Sequence, residues 1–505
     1  MPNFLRKTYS GLLCILPAIL FFSYHPIIKL GQNSSMNFEL SLPLIWLVIF
    51  SICAFLNLIS LHWHKPKLPP KKYKSTALGF NFPGISDRKI FLTSLFPFFA
   101  TLSIFWSANP LRALLTAGII WLLFLSIFAI LYLTPLLHPP KSFTHSLAII
   151  FFASSFIICI VCWLQSLLDL FGASRSDTLL CIGCTYHSFG FPHPSGFAIE
   201  PQFMGNLLLA PTLVALYFLS FYRAKMGKRE FRLLTLLAVI FSATLFLTFS
   251  RGAIYAYAIA IIILVIFTFY RQASWRLLVI IPILTFGCTL MAQGIFSAVG
   301  PTDETFLSGI TKSIHQLSLG RIDLRDLASD KTETTELEST VPDSTIATPA
   351  PDTESAIFEG YVVESTNVRL SLNEAAFHTW IASPYRIIFG VGLGAAGVAM
   401  HAYAPADVAS PKEIVQNEVF SLLLELGIIG VILLGIALFV LFSPRSGFWH
   451  SPILPLLVSL LAAYFITLQF FSGLPNALHI YLLPPLFYLW AHLNSEKTPH
   501  KLQKS

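Results

Sequence analysis

Two arginines and a carboxylate stand where polar chemistry meets long apolar runs: Arg251 in FSRG, Arg369 in NVRLSLNEAAFHTW and Glu200 in SGFAIEP. A planar guanidinium pairs with two phosphate oxygens at once, and a set of such groups can hold a departing diphosphate without a metal. An arginine at the end of an apolar run also snorkels to the interface, and a glutamate at a helix start also offsets the helix dipole, so each has a structural reading beside the chemical one. If the stretch from Val368 to Pro384 is a helix, Arg369, Asn373 and Trp380 fall on one stripe that suits an anionic sugar ligand. Ser371 and Glu374 have capping-box spacing, and Pro384 ends the pattern. The glycines Gly390, Gly392 and Gly394 allow a tight turn or a close approach to a ligand. His193, His378 and His401 lie nearby in sequence, although a loop histidine is more often solvated than catalytic. Arg112 and Arg386 read as interface anchors. The sequence has no clustered aspartate pair, no glycine-rich phosphate loop ending in Lys-Ser/Thr and no Ser/His/Asp spacing, so neither a metal nor a cofactor is expected.

The elements that must position these residues are membrane helices. Of the 505 residues 55% are hydrophobic and 11% charged, and the mean hydropathy is +0.72. A hydrocarbon core needs roughly 20 apolar residues per helical span, and unpaired backbone is not tolerated in lipid. The expected fold is therefore an all-α polytopic membrane protein with about 12 transmembrane helices. The runs are 10–30, 40–62, 90–107, 113–136, 146–171, 202–222, 233–249, 252–270, 277–296, 417–442, 452–472 and 478–493. The first follows Arg6 and Lys7 and lacks a small-residue cleavage pattern, which favours a retained anchor over a signal peptide. An even number of spans puts both termini on one side. Loops on that side hold most of the basic residues, among them Lys65 to Lys74, Arg223 to Arg232 and Lys497 to Lys504. By the positive-inside rule both termini are cytoplasmic, and the net charge of +7 reflects topology with no nucleic-acid partner.

The organisation expected is nine helices over 1–296, a long extracytoplasmic loop over 297–416, three further helices over 417–493 and a cytoplasmic tail over 494–505. Within the loop, 323–359 is rich in Thr, Ser, Pro, Asp and Glu, a composition that predicts disorder, whereas 361–416 regains apolar periodicity and should fold over the site. Five of the seven cysteines sit in apolar runs, and Cys181 and Cys184 share a polar loop, where a local disulfide or free thiols come ahead of a metal site. No internal repeat is visible, and the spans carry few charges, which weighs against a pseudo-symmetric transporter.

Several segments together resemble the O-antigen ligase and O-antigen polymerase family of membrane glycosyltransferases. They are Trp106-Ser-x-Asn-Pro-x-Arg-Ala, Ser195-Gly-Phe-x-x-Glu-Pro, Ser250-Arg251-Gly252, the Arg369 to Trp380 helix with Pro384 and Gly390-Val-Gly-x-Gly, and Asn417 through Glu425 to Gly430. The resemblance implies transfer of a polyprenyl-diphosphate-linked glycan to a sugar hydroxyl of a glycan or lipid-glycan acceptor, outside the cytoplasmic (inner) membrane, by a metal-independent inverting enzyme. Arg251, Arg369 and Glu200 would be catalytic, with Arg251 and Arg369 on the diphosphate. His193, Trp380, His401, Gln416 and Asn417 would bind substrate. Ligases of the family carry a His-Asn pair where this chain has Gln416-Asn417, which favours a polymerase of O-antigen or exopolysaccharide. An O-antigen ligase or protein O-oligosaccharyltransferase is the near alternative, and a lipid-glycan flippase is the alternative of another class.

Overall fold

The computed structural model describes residues 2–23, 27–30, 38–63, 87–140, 142–170, 185–186, 193–299, 305–318, 322, 324, 353–401, 403, 415–442, 451–471, 473–474 and 477–495. In chain order, α1 (Pro2–Phe21) is followed by the antiparallel hairpin of β1 (Ile27–Leu30) and β2 (Phe38–Ser41), then α2 (Leu42–Trp63). Next, α3 (Asp87–Leu102) tightens into a 3-10 turn over Ser103–Trp106. After it, α4 (Pro110–Phe128) passes through a π turn (Ala129–Leu133) into α5 (Thr134–Leu136). The helix α6 (Phe143–Leu170) precedes a two-residue pair, β3 (Thr185–Tyr186) and β4 (His193–Pro194). Four helices follow: α7 (Pro201–Phe221), α8 (Lys228–Leu247), α9 (Arg251–Tyr270) and α10 (Arg276–Val299). Shorter or more polar helices come next, α11 (Phe306–Leu317), α12 (Thr353–Ile381), α13 (Pro384–Phe389) and α14 (Ala396–Met400). The last three are α15 (Glu418–Leu441), α16 (Leu454–Thr467) and α17 (Leu478–Ser495).

Among the described residues ten helices are long and apolar enough to cross a membrane, and the fold is that of an all-α polytopic membrane protein. The last two expected spans are helices as well: α16 has only 14 residues, and α17 carries Pro484 and Pro485 inside it. Large apolar side chains point outward along the spans, such as Ile283 at 65% exposure and Phe439 at 72%. Such a girdle is a liability in water and the expected surface in lipid. The helix at the centre is α7, with 94% of its span buried. Lipid tails are as apolar as leucine, so close packing has to hold such a helix, and small residues permit it. Gly205 lets α7 close on the α8–α9 junction: a Cβ there would lie 2.9 Å from atoms of Ala253, Ser250 and Thr248.

The structure departs from the sequence reading in four places. The first helix starts at Pro2 and ends at Phe21, so Arg6 and Lys7 lie within it, and residues 27–30, expected to end the span, belong to the β1–β2 hairpin. Long basic side chains reach the interface from inside a terminal turn, which is why hydropathy alone misplaces the boundary. α12 begins at Thr353, inside the stretch whose composition predicts disorder, and runs unbroken to Ile381, so Ser371 and Glu374 are interior and cap nothing. Pro384 does not merely stop a helix. With Ser383 accepting from the Arg386 backbone N–H at 3.3 Å, it starts α13. α11, within the expected loop, packs against α10, with Gly309 fitted to Ser297 and the Gln293 carbonyl. Cys181, Cys184 and residues 325–352 lie outside the described residues.

Candidate active site

All five sequence motifs meet at one end of the bundle. The glycine run is the knot that joins three of them. Gly390, Gly392 and Gly394 have φ of 74°, 91° and 67°, a left-handed region that suits glycine. A Cβ on Gly390 would lie 2.4 Å from the Glu425 carbonyl, and one on Gly392 would lie 2.6 Å from Ser107 Cα. The freed backbone is used at once: Val391 N–H donates to Leu424 O at 2.8 Å and Gly392 N–H to Glu425 O at 2.9 Å. Those carbonyls are available because α15 kinks at Gly427, whose φ is 62°. Ser107 Oγ donates to Leu393 O at 2.7 Å, and Leu393 N–H donates to Ser103 Oγ at 3.2 Å. The Glu425 carboxylate faces the N–H groups of Gly394 and Ala396 and the Arg112 guanidinium. Arg112 is thus more than the interface anchor expected. The close approach that the glycines permit is to the protein's own backbone.

On this frame sit the catalytic candidates. Glu200 occupies the N-cap position of α7 with extended backbone, but its side chain makes no capping hydrogen bond, so the capping reading loses its support. The side chain reaches the surface, yet enough protein surrounds it for desolvation to raise its pKa above the ordinary carboxylate value, while the Arg369 guanidinium pulls the other way. Arg369, half-buried on α12, donates from Nη2 to Gln202 Oε1 at 3.2 Å. Gln202 lies two residues beyond Glu200, and its Nε2 donates to Phe470 O at 3.3 Å. The Phe470 ring covers Gly252, where a Cβ would lie 3.2 Å from it, and lies 6.5 Å from the Tyr255 ring.

Arg251 opens α9 next to that contact, after Ser250, whose Oγ accepts the Ala253 N–H at 3.4 Å. Thus Arg369, Gln202, Phe470 and the start of α9 form one continuous contact chain, with Glu200 beside Arg369.

The remaining sequence candidates are placed unevenly. The His193 ring stacks on Phe249 at 5.3 Å and 12°, and Phe249, at φ 48°, forms the turn into Arg251. Asn417 caps α15, accepting from Val419 N–H at 2.9 Å and Phe420 N–H at 3.1 Å, and its Nδ2 donates to Gln469 O at 3.2 Å. Gln416 beside it is half-buried. Trp380 packs against a small core of α12, α14 and α15 residues, with its Nε1 donating to Ile387 O at 3.3 Å. His401 is exposed at the end of α14, and His378 is exposed with its Nε2 3.7 Å from Glu374 Oε1. Arg386 ties α13 to α12 through Thr379 O at 3.4 Å.

Sequence reasoning missed Gln202 and Phe470. Gln202 had a signal, its place two residues after Glu200. Phe470 lies in a run that reads only as membrane span or its edge. Among the described residues no group of three or more His, Cys, Asp or Glu is placed to hold a metal ion.

No curated protein and no solved structure matches this chain. A model of the family described as O-antigen ligase matches residues 236–435. That segment runs from α8 into α15 and contains Arg251, Arg369, Trp380, His401, Gln416 and Asn417, while His193, Glu200 and Gln202 precede it. The resemblance read from scattered motifs is borne out over this segment: the chain is a multi-pass membrane protein that is similar to the O-antigen ligase family over residues 236–435.

Proposed function

We propose that the protein is a membrane glycosyltransferase that transfers a polyprenyl-diphosphate-linked glycan to a sugar hydroxyl at the outer face of the cytoplasmic membrane, as a polysaccharide polymerase. The observation that carries this reading is the contact chain from Arg369 through Gln202 and Phe470 to the start of α9 at Arg251. It connects the Arg369 guanidinium to the first turn of the helix that Arg251 opens, from a distant part of the chain, beside a carboxylate not used as a cap.

In the reaction, the acceptor hydroxyl oxygen attacks the anomeric carbon from the face opposite the diphosphate. The bond from that carbon to the phosphate oxygen breaks, and its electron pair leaves on the diphosphate. Arg251 and Arg369 offer donors where that charge develops, which is the most effective place for them. Glu200 takes the hydroxyl proton. A carboxylate whose pKa is raised by desolvation is a stronger base than one in water. Back-side attack inverts the anomeric centre, and no step requires a metal.

The ligase reading is favoured by the description of the matching family. The polymerase reading is favoured by Gln416-Asn417 in place of the His-Asn pair, with Asn417 engaged in capping α15. Incubating the purified protein with the lipid-diphosphate repeat alone separates them. A ladder of lengthening chains is expected. Transfer only after a distinct lipid-glycan acceptor is added would make it a ligase, and no transfer with any acceptor would remove the enzyme reading.

A further inference from the structure

The turn after α16, described at residues 468–471 and 473, touches both arms of the site, and a buried carboxylate at the start of α15 fixes it. Glu418 accepts from Gly473 N–H at Oε2, 2.8 Å, and from the Tyr481 hydroxyl at Oε1, 3.1 Å. Its own backbone N–H donates to Leu468 O at 2.8 Å, while the neighbouring Asn417 holds Gln469 through both the carbonyl and the side chain. So the turn is gripped at 468, 469 and 473. Between them lies the half-buried Phe470, whose carbonyl anchors Gln202 and whose ring lies on Gly252. Gln202 in turn presents its Oε1 to Arg369 at 3.2 Å.

A carboxylate buried at the membrane end of a helix costs more than an apolar residue of the same size unless its lone pairs are satisfied, and removing one partner leaves the penalty in place. Filling space does not call for such a residue. Fixing a turn does, because two charge-assisted hydrogen bonds from different elements define its geometry more narrowly than packing can.

We infer that Glu418 and Tyr481 are positioning residues that set Arg369, through the turn and Gln202, and the start of α9 at Arg251, through Phe470. The inference rests on the reading that the two arginines hold the diphosphate. Glu418 is buried and both its oxygens are engaged within the protein, so it acts through the turn and not on the substrate.

The test uses the full chain in lipid nanodiscs with the purified lipid-diphosphate oligosaccharide. Glu418→Ala and Tyr481→Phe are each expected to lower kcat on the order of tenfold, the scale of a lost hydrogen bond to a charged group, with KM close to that of the unaltered protein. Glu418→Gln should recover much of the loss: its carbonyl can accept from Gly473 and the Tyr481 hydroxyl can turn to accept from its amide. Since Glu418 and Gln202 act on the same guanidinium, Glu418→Ala combined with Gln202→Ala should be little slower than the slower single variant. Multiplying effects, or unchanged kcat per folded molecule in Tyr481→Phe, would overturn the inference. Tyr481→Phe keeps the ring and carries the test if Glu418→Ala does not fold. Full transfer by Arg369→Ala would overturn the diphosphate reading and the inference with it. An inactive Arg369→Ala beside a fully active Tyr481→Phe would remove the inference alone.

Discussion

Replacing Gly392 by alanine should damage the fold more than any exposed glycine replacement in the spans, and the structure sets the scale. The new Cβ would lie 2.6 Å from Ser107 Cα and 2.8 Å from Ser107 N, atoms of backbone that cannot rotate away. Ser107 is itself tied to Leu393 O by its hydroxyl at 2.7 Å, so a retreat of the backbone breaks that bond. Left-handed backbone costs an L-residue about 1–2 kcal/mol, and overpacking costs about 1–3 kcal/mol. Together they remove about 2–5 kcal/mol from a fold whose total stability is typically about 5–15 kcal/mol. The control is Gly435→Ala, at an exposed helical glycine with nothing within 4 Å of the added Cβ. In a helix interior that change is expected to gain up to about 1 kcal/mol. The assay is tryptophan-monitored unfolding in detergent micelles, read together with transfer activity. Gly392→Ala should lower the midpoint and the folded yield, and Gly435→Ala should not. If Gly392→Ala unfolds like the unaltered protein and only raises KM, the glycine run makes room for a ligand and the interlock argued here is wrong.

Two further outcomes follow from the site and from the charge asymmetry of the loops. The acid limb of kcat/KM should lie above the 4.5 of an ordinary glutamate, because desolvation raises the Glu200 pKa; since the Arg369 charge lowers it, residual activity in Arg369→Ala should have its limb at still higher pH, and Arg369→Lys should leave the limb near its original place. A single cysteine at Ser339 should react with an impermeant maleimide added outside intact cells and one at Lys72 should not, as the basic-residue asymmetry requires; the opposite pattern inverts the topology.

The spans were legible because hydrocarbon thickness imposes a length on every one of them, and each of the twelve expected runs holds a helix among the described residues, although the first is cut short at Phe21. Arg251, Glu200 and Arg369 stood out because charge is expensive beside lipid, so polar residues at span ends draw attention. Gln202 and Phe470 were not legible for the converse reason: both are ordinary at a span end, and only the fold shows the Gln202 amide donating to the Phe470 backbone carbonyl. For Trp380, helical periodicity gives a stripe without saying whether it faces a ligand or a core, and only the fold shows its Nε1 bonded to Ile387 O of the next short helix. The Gly390 run offered two readings, and the choice depended on what lay opposite, which was the backbone of Ser107 and Glu425 from distant parts of the chain.

In the proposed reaction Arg251 and Arg369 serve one leaving diphosphate. Its most direct measurement is the release of polyprenyl diphosphate from purified lipid-diphosphate oligosaccharide in the presence of EDTA. A donor aimed at developing charge contributes about a hundred- to a thousandfold in rate. Arg251→Ala and Arg369→Ala should each lose activity on that order, lysine should restore little of it, and the double variant should be less impaired than the product of the two single effects. Full activity in either alanine variant, or loss of the unaltered protein's activity on adding EDTA, would contradict the account.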